Sequence, residues 1–253
     1  MMSEAEKSSF IGTLSASSAS FPAEFNAHRV LPSLVSALEF GGGTASAIIP
    51  LVISIGKDSS SAASSKPGDA ATNVWLTPVL KLFASPDRAT RMALLTHLPS
   101  YAPFLTSNHA TTLIWPHLSL GLSDTVPIIR EASIRSLSTL APLLSDRVKN
   151  NDLLRHLAKL QLDPEPSIRT NTCILLAKLA PGLQDGTRKK VLVPAYARAC
   201  KDAFGWARVA GIEAFLAGVG GKDGKDGAVC FDEKDIAERV VPVVAGCMVD
   251  REK

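Results

Sequence analysis

Apolar residues recur along the middle of the chain at the spacing of one face of an α-helix. After residue 130 these positions are Ile134, Leu137, Leu140, Ala141 and Leu144. Further along, a second set repeats them at a constant displacement: Cys173, Leu176, Leu179, Ala180 and Leu183. Intervals of three and four residues place side chains on one side of a helix. The pattern therefore predicts two amphipathic helices that are copies of one unit.

Charged residues follow the same displacement and extend the repeat. Four arginines are equally spaced by it, namely Arg91, Arg130, Arg169 and Arg208. We call the step from Arg130 to Arg169 one period. An aspartate precedes three of the arginines by six residues, namely Asp124, Asp163 and Asp202. A repeat with a period of about 20–50 residues is typical of an array in which each unit packs on its neighbours.

The order of aspartate, proline and arginine within a unit has a physical explanation. Pro127 and Pro166 fit the first turn of a helix, because proline holds φ at about −65° and its missing N–H has no partner there anyway. The aspartate just upstream can accept hydrogen bonds from the unpaired N–H groups of that turn. The arginines lie one turn inside and should stack, each near an aspartate of its own or the adjacent unit. We expect a structural ladder here rather than a ligand site.

The segments before these turns predict a first helix for each unit. Pro116 and Pro194 fall inside two of them, eight residues before an aspartate. Two antiparallel helices, with a proline in the first and an aspartate-to-arginine turn into the second, are the pattern of a HEAT repeat. The predicted fold class is all-α: a HEAT-repeat α-solenoid, a superhelix of antiparallel helix pairs with a period of about 39 residues.

The repeats also predict how the chain is organised. We expect residues 1–23 to lead into the first repeat, and residues 24–253 to form a solenoid of about five repeats plus a truncated sixth. Residues 57–72, rich in Ser and Ala, and residues 218–230, rich in Gly, Lys and Asp, are predicted to be flexible inserts. The sixth repeat stops at its turn, so we expect further chain or a partner to cover that end.

Composition narrows the class of protein. Hydrophobic residues make up 46% of the 253 residues but aromatic residues only 6%, which favours tightly packed helices over a sheet. No apolar run approaches the ~20 residues that span a bilayer, and the N-terminus lacks the order of a signal peptide. The cysteines are far apart and predict buried thiols rather than disulfides or zinc ligands: Cys173, Cys200, Cys230 and Cys247. The predicted location is the cytosol or the nucleus, without membrane insertion.

No motif indicates catalysis or a cofactor. Gly218, Gly220 and Gly221 precede Lys222, but Asp223 follows where a phosphate-binding loop needs Ser or Thr. The five histidines lie outside any metal-binding spacing, and hydrolase and protein-kinase signatures are missing. The sequence predicts a protein that is not an enzyme and uses no metal or cofactor.

Positive charge is concentrated in one part of the chain. Residues 128–210 contain 14 Lys and Arg against 7 Asp and Glu, a net charge of +7, whereas the whole chain carries +3. The candidate partner-binding residues are Arg155, Lys159, Arg188, Lys189, Lys190 and Arg198. Lys159 and Arg198 are one period apart and should align on successive first helices, so they could face RNA phosphates or an acidic protein tail. The alternative is a solvated helix face.

Several stretches resemble a known family. They are "LPSLVSALEFGGG", "LFASPDRATRMALL", "DTVPIIREASIRSLSTLAPLL" and "LLRHLAKLQLDPEPSIRTNTCILLAKLAP". Together they resemble the HEAT region of the Scy-like pseudokinases, over residues 6–250. In that family an inactive kinase-like domain precedes the repeats and a coat-binding tail follows them, and neither is present in this sequence. The resemblance implies an adaptor that escorts tRNA at the cytoplasmic side of the nuclear pore, or one that assists coat-dependent Golgi traffic.

Two function classes therefore remain. The first is a non-catalytic adaptor in nuclear tRNA export, with transport proteins and tRNA as partners. The second is a protein-only scaffold in coat-dependent vesicle traffic. An enzyme would require the kinase-like domain that this sequence lacks. The expected location is the cytoplasm, at the nuclear pore or the Golgi, and the sequence does not indicate an oligomeric state.

Overall fold

The computed structural model describes residues 3–39, 43–220 and 230–249. Throughout these ranges the chain is helical apart from turns and short connections, and no strand is present. The chain divides into two compact units, Met1–Leu118 and Ser119–Lys253. Each unit is built from helices that pack on their neighbours in the chain.

The described residues of the first unit form six α-helices. They are α1 (Glu4–Ser18), α2 (Ala23–Phe25), α3 (Leu31–Glu39), α4 (Ala45–Ala62), α5 (Ala70–Lys81) and α6 (Arg88–Tyr101). A π-helical segment, Asn26–Val30, joins α2 to α3, and a second one, His109–Ile114, leads into α7 (Trp115–Gly121) at the boundary between the units. Helix α4 packs against α3, α5 and α6.

The described residues of the second unit form seven further α-helices. They are α8 (Pro127–Leu140), α9 (Leu154–Leu160), α10 (Pro166–Leu179), α11 (Asp185–Ala199), α12 (Gly205–Gly218), α13 (Glu233–Asp235) and α14 (Val241–Cys247). Two π-helical segments, Val148–Leu153 and Ile236–Val240, lead into α9 and α14. Helix α10 packs against α8, α9, α11 and α12, so this second helix of a pair contacts its own first helix and the second helices on either side.

The helices of the second unit repeat with the same period as the sequence. Helices α8, α10 and α12 begin at Pro127, Pro166 and Gly205, and each has 14 residues. Equivalent positions along all three are buried. These are Ile129, Ile168 and Ala207, then Ser133, Thr172 and Gly211, then Leu137, Leu176 and Phe215. The apolar pattern in the sequence thus marks the faces that pack in the core.

Much of the segment 57–72, predicted to be a flexible insert, is helical instead. Helix α4 continues through Ala62, and α5 begins at Ala70 after a short turn. Ser60 is only 2% exposed and accepts a hydrogen bond from the indole Nε1 of Trp75 at 3.0 Å, while Thr72 is buried. Serine and alanine are compatible with a helix, and the hydrogen bond from the buried indole N–H holds this end of α4 in place.

The second predicted insert, residues 218–230, is described by the structure at its two ends. Gly218 is the last residue of α12, and the amide of Cys230 donates to its carbonyl oxygen at 2.8 Å. Phe231 is buried against Tyr196 and Phe215, with ring centroids 6.3 and 6.0 Å away. Residues 221–229 lie outside the described part of the chain.

Candidate partner-binding surface

The turn between the two helices of a pair is closed by the repeated aspartate. In three successive repeats the aspartate Oδ1 accepts a hydrogen bond from the backbone N–H two residues later. The distances are 2.9 Å for Asp124, 3.0 Å for Asp163 and 2.9 Å for Asp202. This local bond fixes the direction of the carboxylate and leaves further acceptor positions on it for a neighbouring repeat.

The repeated arginine joins one repeat to the next. The Arg130 guanidinium donates to both carboxylate oxygens of Asp163 at 2.8 and 2.9 Å, and its Nη1 donates to the carbonyl oxygen of Asp124 at 2.9 Å. Arg169 repeats the arrangement, with 2.7 and 2.8 Å to Asp202 and 2.8 Å to the carbonyl of Asp163. Each of these arginines therefore bonds its own turn and the aspartate of the following turn.

These pairs are removed from solvent. Arg130 and Asp163 are buried, and Arg169 and Asp202 are nearly so. The hydrogen bond to Asp163 raises the pKa of Arg130, and the bond to Asp202 raises the pKa of Arg169. The bond from Arg169 lowers the pKa of the Asp202 carboxyl below its ordinary value. Bidentate pairs of this kind fix the relative geometry of the two side chains as well as pairing their charges.

The two end positions of the ladder differ from its centre. Arg208 donates to the carbonyls of Asp202 and Ala203 at 3.0 and 3.2 Å, which are the contacts within its own turn. Arg91 lies one turn inside α6, but Ser85 occupies the position where the later repeats have aspartate. There Asp87 is the N-cap of α6 and accepts from the Ala89 and Thr90 amides.

Four exposed cations lie on α9, on α11 and just after α11. Arg155 and Lys159 are exposed on successive turns of α9. Arg198 is exposed near the end of α11, and its Nη1 donates to Gln161 Oε1 of the preceding repeat at 2.7 Å. Lys201 follows one turn later and is also exposed. Arg198 thus lies beside the end of α9 that carries Lys159.

An open groove of about 730 Å³ separates these two repeats. It is lined by Gln161, Leu162, Asp163, Pro164, Arg169, Pro194, Ala197, Arg198, Lys201, Asp202 and Ala203. The two carboxylates in it are already bound by Arg130 and Arg169. Arg198 and Lys201 therefore give this surface, called here the ladder groove, its accessible positive charge.

Three of the candidate partner-binding residues, Arg188, Lys189 and Lys190, lie at the start of α11 and do not form one exposed cluster. The Arg188 side chain is only 14% exposed, and it donates to the Leu183 carbonyl at 2.9 Å. Lys189 forms a 2.6 Å ion pair with Asp232 of the sixth repeat, which raises the pKa of the lysine. Lys190 is exposed. An α-helix rises about 1.5 Å per residue, so this group lies roughly 12–15 Å from Arg198 along α11.

Two exposed residues of the second unit were not predicted from the sequence. Lys201 stands immediately before the repeated Asp202, and its spacing of three from Arg198 could have placed it on the same helix face. Trp206, at the start of α12, is 71% exposed. Alignment of the repeats could have indicated this exposure, because the polar Ser167 lies one period earlier and is also exposed.

The described residues contain no cluster of His, Cys, Asp and Glu that could hold a metal ion. Burial raises the pKa of the Cys173 and Cys200 thiols to about 12, so both remain protonated at neutral pH. Within the same ranges no helix is both long enough and apolar enough to cross a bilayer.

Comparisons with known proteins agree with this architecture. No family model matches the chain. It is 29% identical over 249 residues to the "Probable inactive serine/threonine-protein kinase scy1" of Dictyostelium discoideum, an alignment that covers 98% of this chain and 28% of that protein. The crystal structure of Cex1p superposes with a TM-score of 0.72 at 24% identity, over 89% of this chain and 41% of that one. The chain thus spans less than half the length of either relative.

The fold similarity confirms the predicted all-α HEAT-repeat solenoid. The sequence similarity extends over almost the whole chain and so includes the turns of the arginine ladder. The resemblance to the Scy-like pseudokinase family, predicted from the residues alone, is confirmed by the Dictyostelium relative.

Proposed function

We propose that this chain is a non-catalytic adaptor in nuclear tRNA export, acting in the cytoplasm at the nuclear pore and contacting both transport proteins and tRNA. The observation that carries the proposal is the group of exposed cations Lys159, Arg198 and Lys201 at and beside the ladder groove. In the described part of the chain no salt bridge neutralises them.

The ladder supports this interpretation because it sets the spacing of the cations. Arg130 and Arg169 connect three consecutive turns through bidentate bonds. The first helices that carry Lys159 and Arg198 are thereby held in register. Phosphates along an RNA backbone repeat at regular distances, and cations carried by helices held in register bind them without losing much backbone freedom.

The family resemblance supports the non-catalytic part. The name of the Dictyostelium relative is "Probable inactive serine/threonine-protein kinase scy1", and the Scy-like resemblance implies an adaptor of tRNA export. Because the chain covers 28% of that relative, the activity and partners of the longer protein enter here only as part of the proposal.

A titration of labelled tRNA tests the proposal. Changing Lys159, Arg198 and Lys201 to Glu should weaken binding at least tenfold without lowering the melting temperature, because all three side chains are exposed. A matched control reverses the exposed Lys57, Lys81 and Lys178, which do not line the groove and change the net charge equally. Equal losses in the two variants would show that binding follows net charge and has no site.

The second candidate is a protein-only scaffold in coat-dependent Golgi and vesicle traffic. It rests on the same resemblance, and it predicts no salt-dependent binding of tRNA by the wild-type chain. Such a result, with retained binding of coat proteins, would favour this alternative and a location at the Golgi.

A further inference from the structure

The first unit contains an apolar groove that the adaptor function does not use. It has a volume of about 570 Å³ and lies between α1 and the helices of the first repeat. One wall includes Lys7, Phe10 and Leu14, and the other includes Phe25, Arg29 and Ala37. We call it the N-terminal groove.

The floor of this groove is apolar, and two aromatic side chains stand at its rim. Ile11, Leu34 and Ile48 are buried at its base. Phe10 and Phe25 remain 58% and 47% exposed. Single apolar residues scattered over a surface are common in soluble proteins. A continuous apolar groove with exposed aromatic side chains is instead typical of a binding site for another molecule.

Charge on the rim has one sign. Of the described residues that line the groove, only Lys7 and Arg29 carry charge, and both are positive. Ser33, one of its few polar residues, donates its hydroxyl to the Arg29 carbonyl at 2.9 Å and so is satisfied within its own helix. The groove therefore offers a partner apolar contact along its length and, at the exposed Arg29, attraction for carboxylates at its edge.

We propose that the N-terminal groove binds an amphipathic α-helix of a partner protein, one with large apolar residues on one face and acidic residues beside them. The lining residues extend from Lys7 to Leu14 on one wall and from Phe25 to Ala37 on the other. At about 1.5 Å per residue these walls are about 10 and 18 Å long. That length accepts two to three turns of a helix, with anchors at positions i, i+3 or i+4, and i+7.

The walls of the groove favour a helix over an extended peptide. They are formed by helices whose backbone groups bond internally, so they offer no strand edge to an extended chain. A helical ligand satisfies its own backbone and buries only side chains. A second copy of this chain fits less well, because a two-fold contact through this groove would bring together two rims whose described charged residues, Lys7 and Arg29, are all positive.

The test uses the full chain and two synthetic 18-residue peptides. Both carry Leu and Phe at positions i, i+3, i+4 and i+7, but one has Glu and the other has Lys beside this face. Fluorescence anisotropy should show the Glu peptide binding at least tenfold more tightly than the Lys peptide. Phe10→Glu should weaken binding at least tenfold. The matched control Val74→Glu, at an exposed apolar residue outside the groove, should leave it unchanged.

A charge reversal makes the test specific. Arg29→Glu should weaken binding of the Glu peptide severalfold and strengthen binding of the Lys peptide. Lys57→Glu, at an exposed lysine outside the groove, should change the binding of neither peptide. Equal binding of the two peptides, or equal losses in Phe10→Glu and Val74→Glu, would overturn the proposal. So would a dimer in sedimentation equilibrium that Phe10→Glu dissociates, since a second copy would then be the occupant. None of these variants touches the ladder groove, so tRNA binding reports separately on the proposed function.

Discussion

The guanidinium of Arg169 bonds both carboxylate oxygens of Asp202 in the next repeat, at 2.7 and 2.8 Å, and also the carbonyl of Asp163 in its own turn, at 2.8 Å. One side chain thus joins the turns of two adjacent repeats. Arg130 meets Asp163 at the same separation in sequence, 33 residues. The arginine and the aspartate therefore recur with a single period, because each must meet its counterpart in the neighbouring repeat.

Removing this arginine should destabilise the chain. Arg169→Ala leaves the nearly buried Asp202 carboxylate without its main partner, at a cost of about 1–3 kcal/mol. Arg135→Ala is the control, because Arg135 pairs with Glu131 at 2.6 Å but is 70% exposed, and such pairs contribute at most about 1 kcal/mol. Chemical denaturation of both variants measures the difference. Equal stabilities would mean that the ladder does not hold the repeats together.

The same pair predicts how stability responds to acid. The bond from Arg169 holds the pKa of Asp202 below its ordinary value in the folded chain. A carboxyl with a lowered folded pKa contributes stability that is complete above its unfolded pKa, about 3.9, and is lost as the pH falls through the folded pKa. Denaturation midpoints measured from pH 7 to pH 2.5 should fall more steeply below about pH 4 for wild type than for Asp202→Asn. Parallel curves would contradict the prediction.

The end of α4 gives a third prediction. Ser60→Ala removes the acceptor of the buried Trp75 Nε1–H, which should cost about 1–3 kcal/mol. Ser61→Ala, at the exposed neighbouring position, should change stability by less than about 0.5 kcal/mol.

Deletion of residues 59–71 should abolish cooperative unfolding of the first unit. If the deletion variant melted like wild type, the segment would be the flexible insert that composition suggested.

The residues that begin α11 should separate into two classes. Arg188→Glu should lower the melting temperature, because the largely buried guanidinium donates to the Leu183 carbonyl. Lys190→Glu should leave it unchanged, because that side chain is exposed. Thermal unfolding followed by circular dichroism distinguishes them. Identical melting temperatures would show that Arg188 is not part of the folded core of its repeat.

These residues also show how far sequence reasoning reached. The constant interval between the repeated arginines predicted the fold, and Arg130 and Arg169 do bond aspartates. Each repeated aspartate, however, accepts from the amide just before its helix rather than from the first helical turn. The interval left open whether Arg130 would meet an aspartate of its own or the adjacent repeat, because that depends on how one repeat stacks on the next. Burial of Arg188 and ordering of Ser60 were also missed. Both depend on three-dimensional neighbours, the carbonyl of Leu183 and the indole of Trp75.

The exposure of the candidate partner-binding residues could be predicted only in part, because it also depends on three-dimensional neighbours. Lys159 and Arg198 share a period, and the structure places both on exposed helix faces, with Arg198 bonded to Gln161 beside Lys159. Lys189, by contrast, is paired with Asp232, a partner 43 residues away that no local pattern indicates.

The salt dependence of tRNA binding tests the central claim most directly. If Lys159, Arg198 and Lys201 contact phosphates, the logarithm of the binding constant should fall linearly with the logarithm of salt concentration. Each cation removed should then reduce that slope by about 1. In the variant with all three changed to Ala, the magnitude of the slope should therefore be smaller by about 2–3. The control with Lys57, Lys81 and Lys178 changed to Ala should have the wild-type slope. The same slope in wild type and both variants would contradict the account.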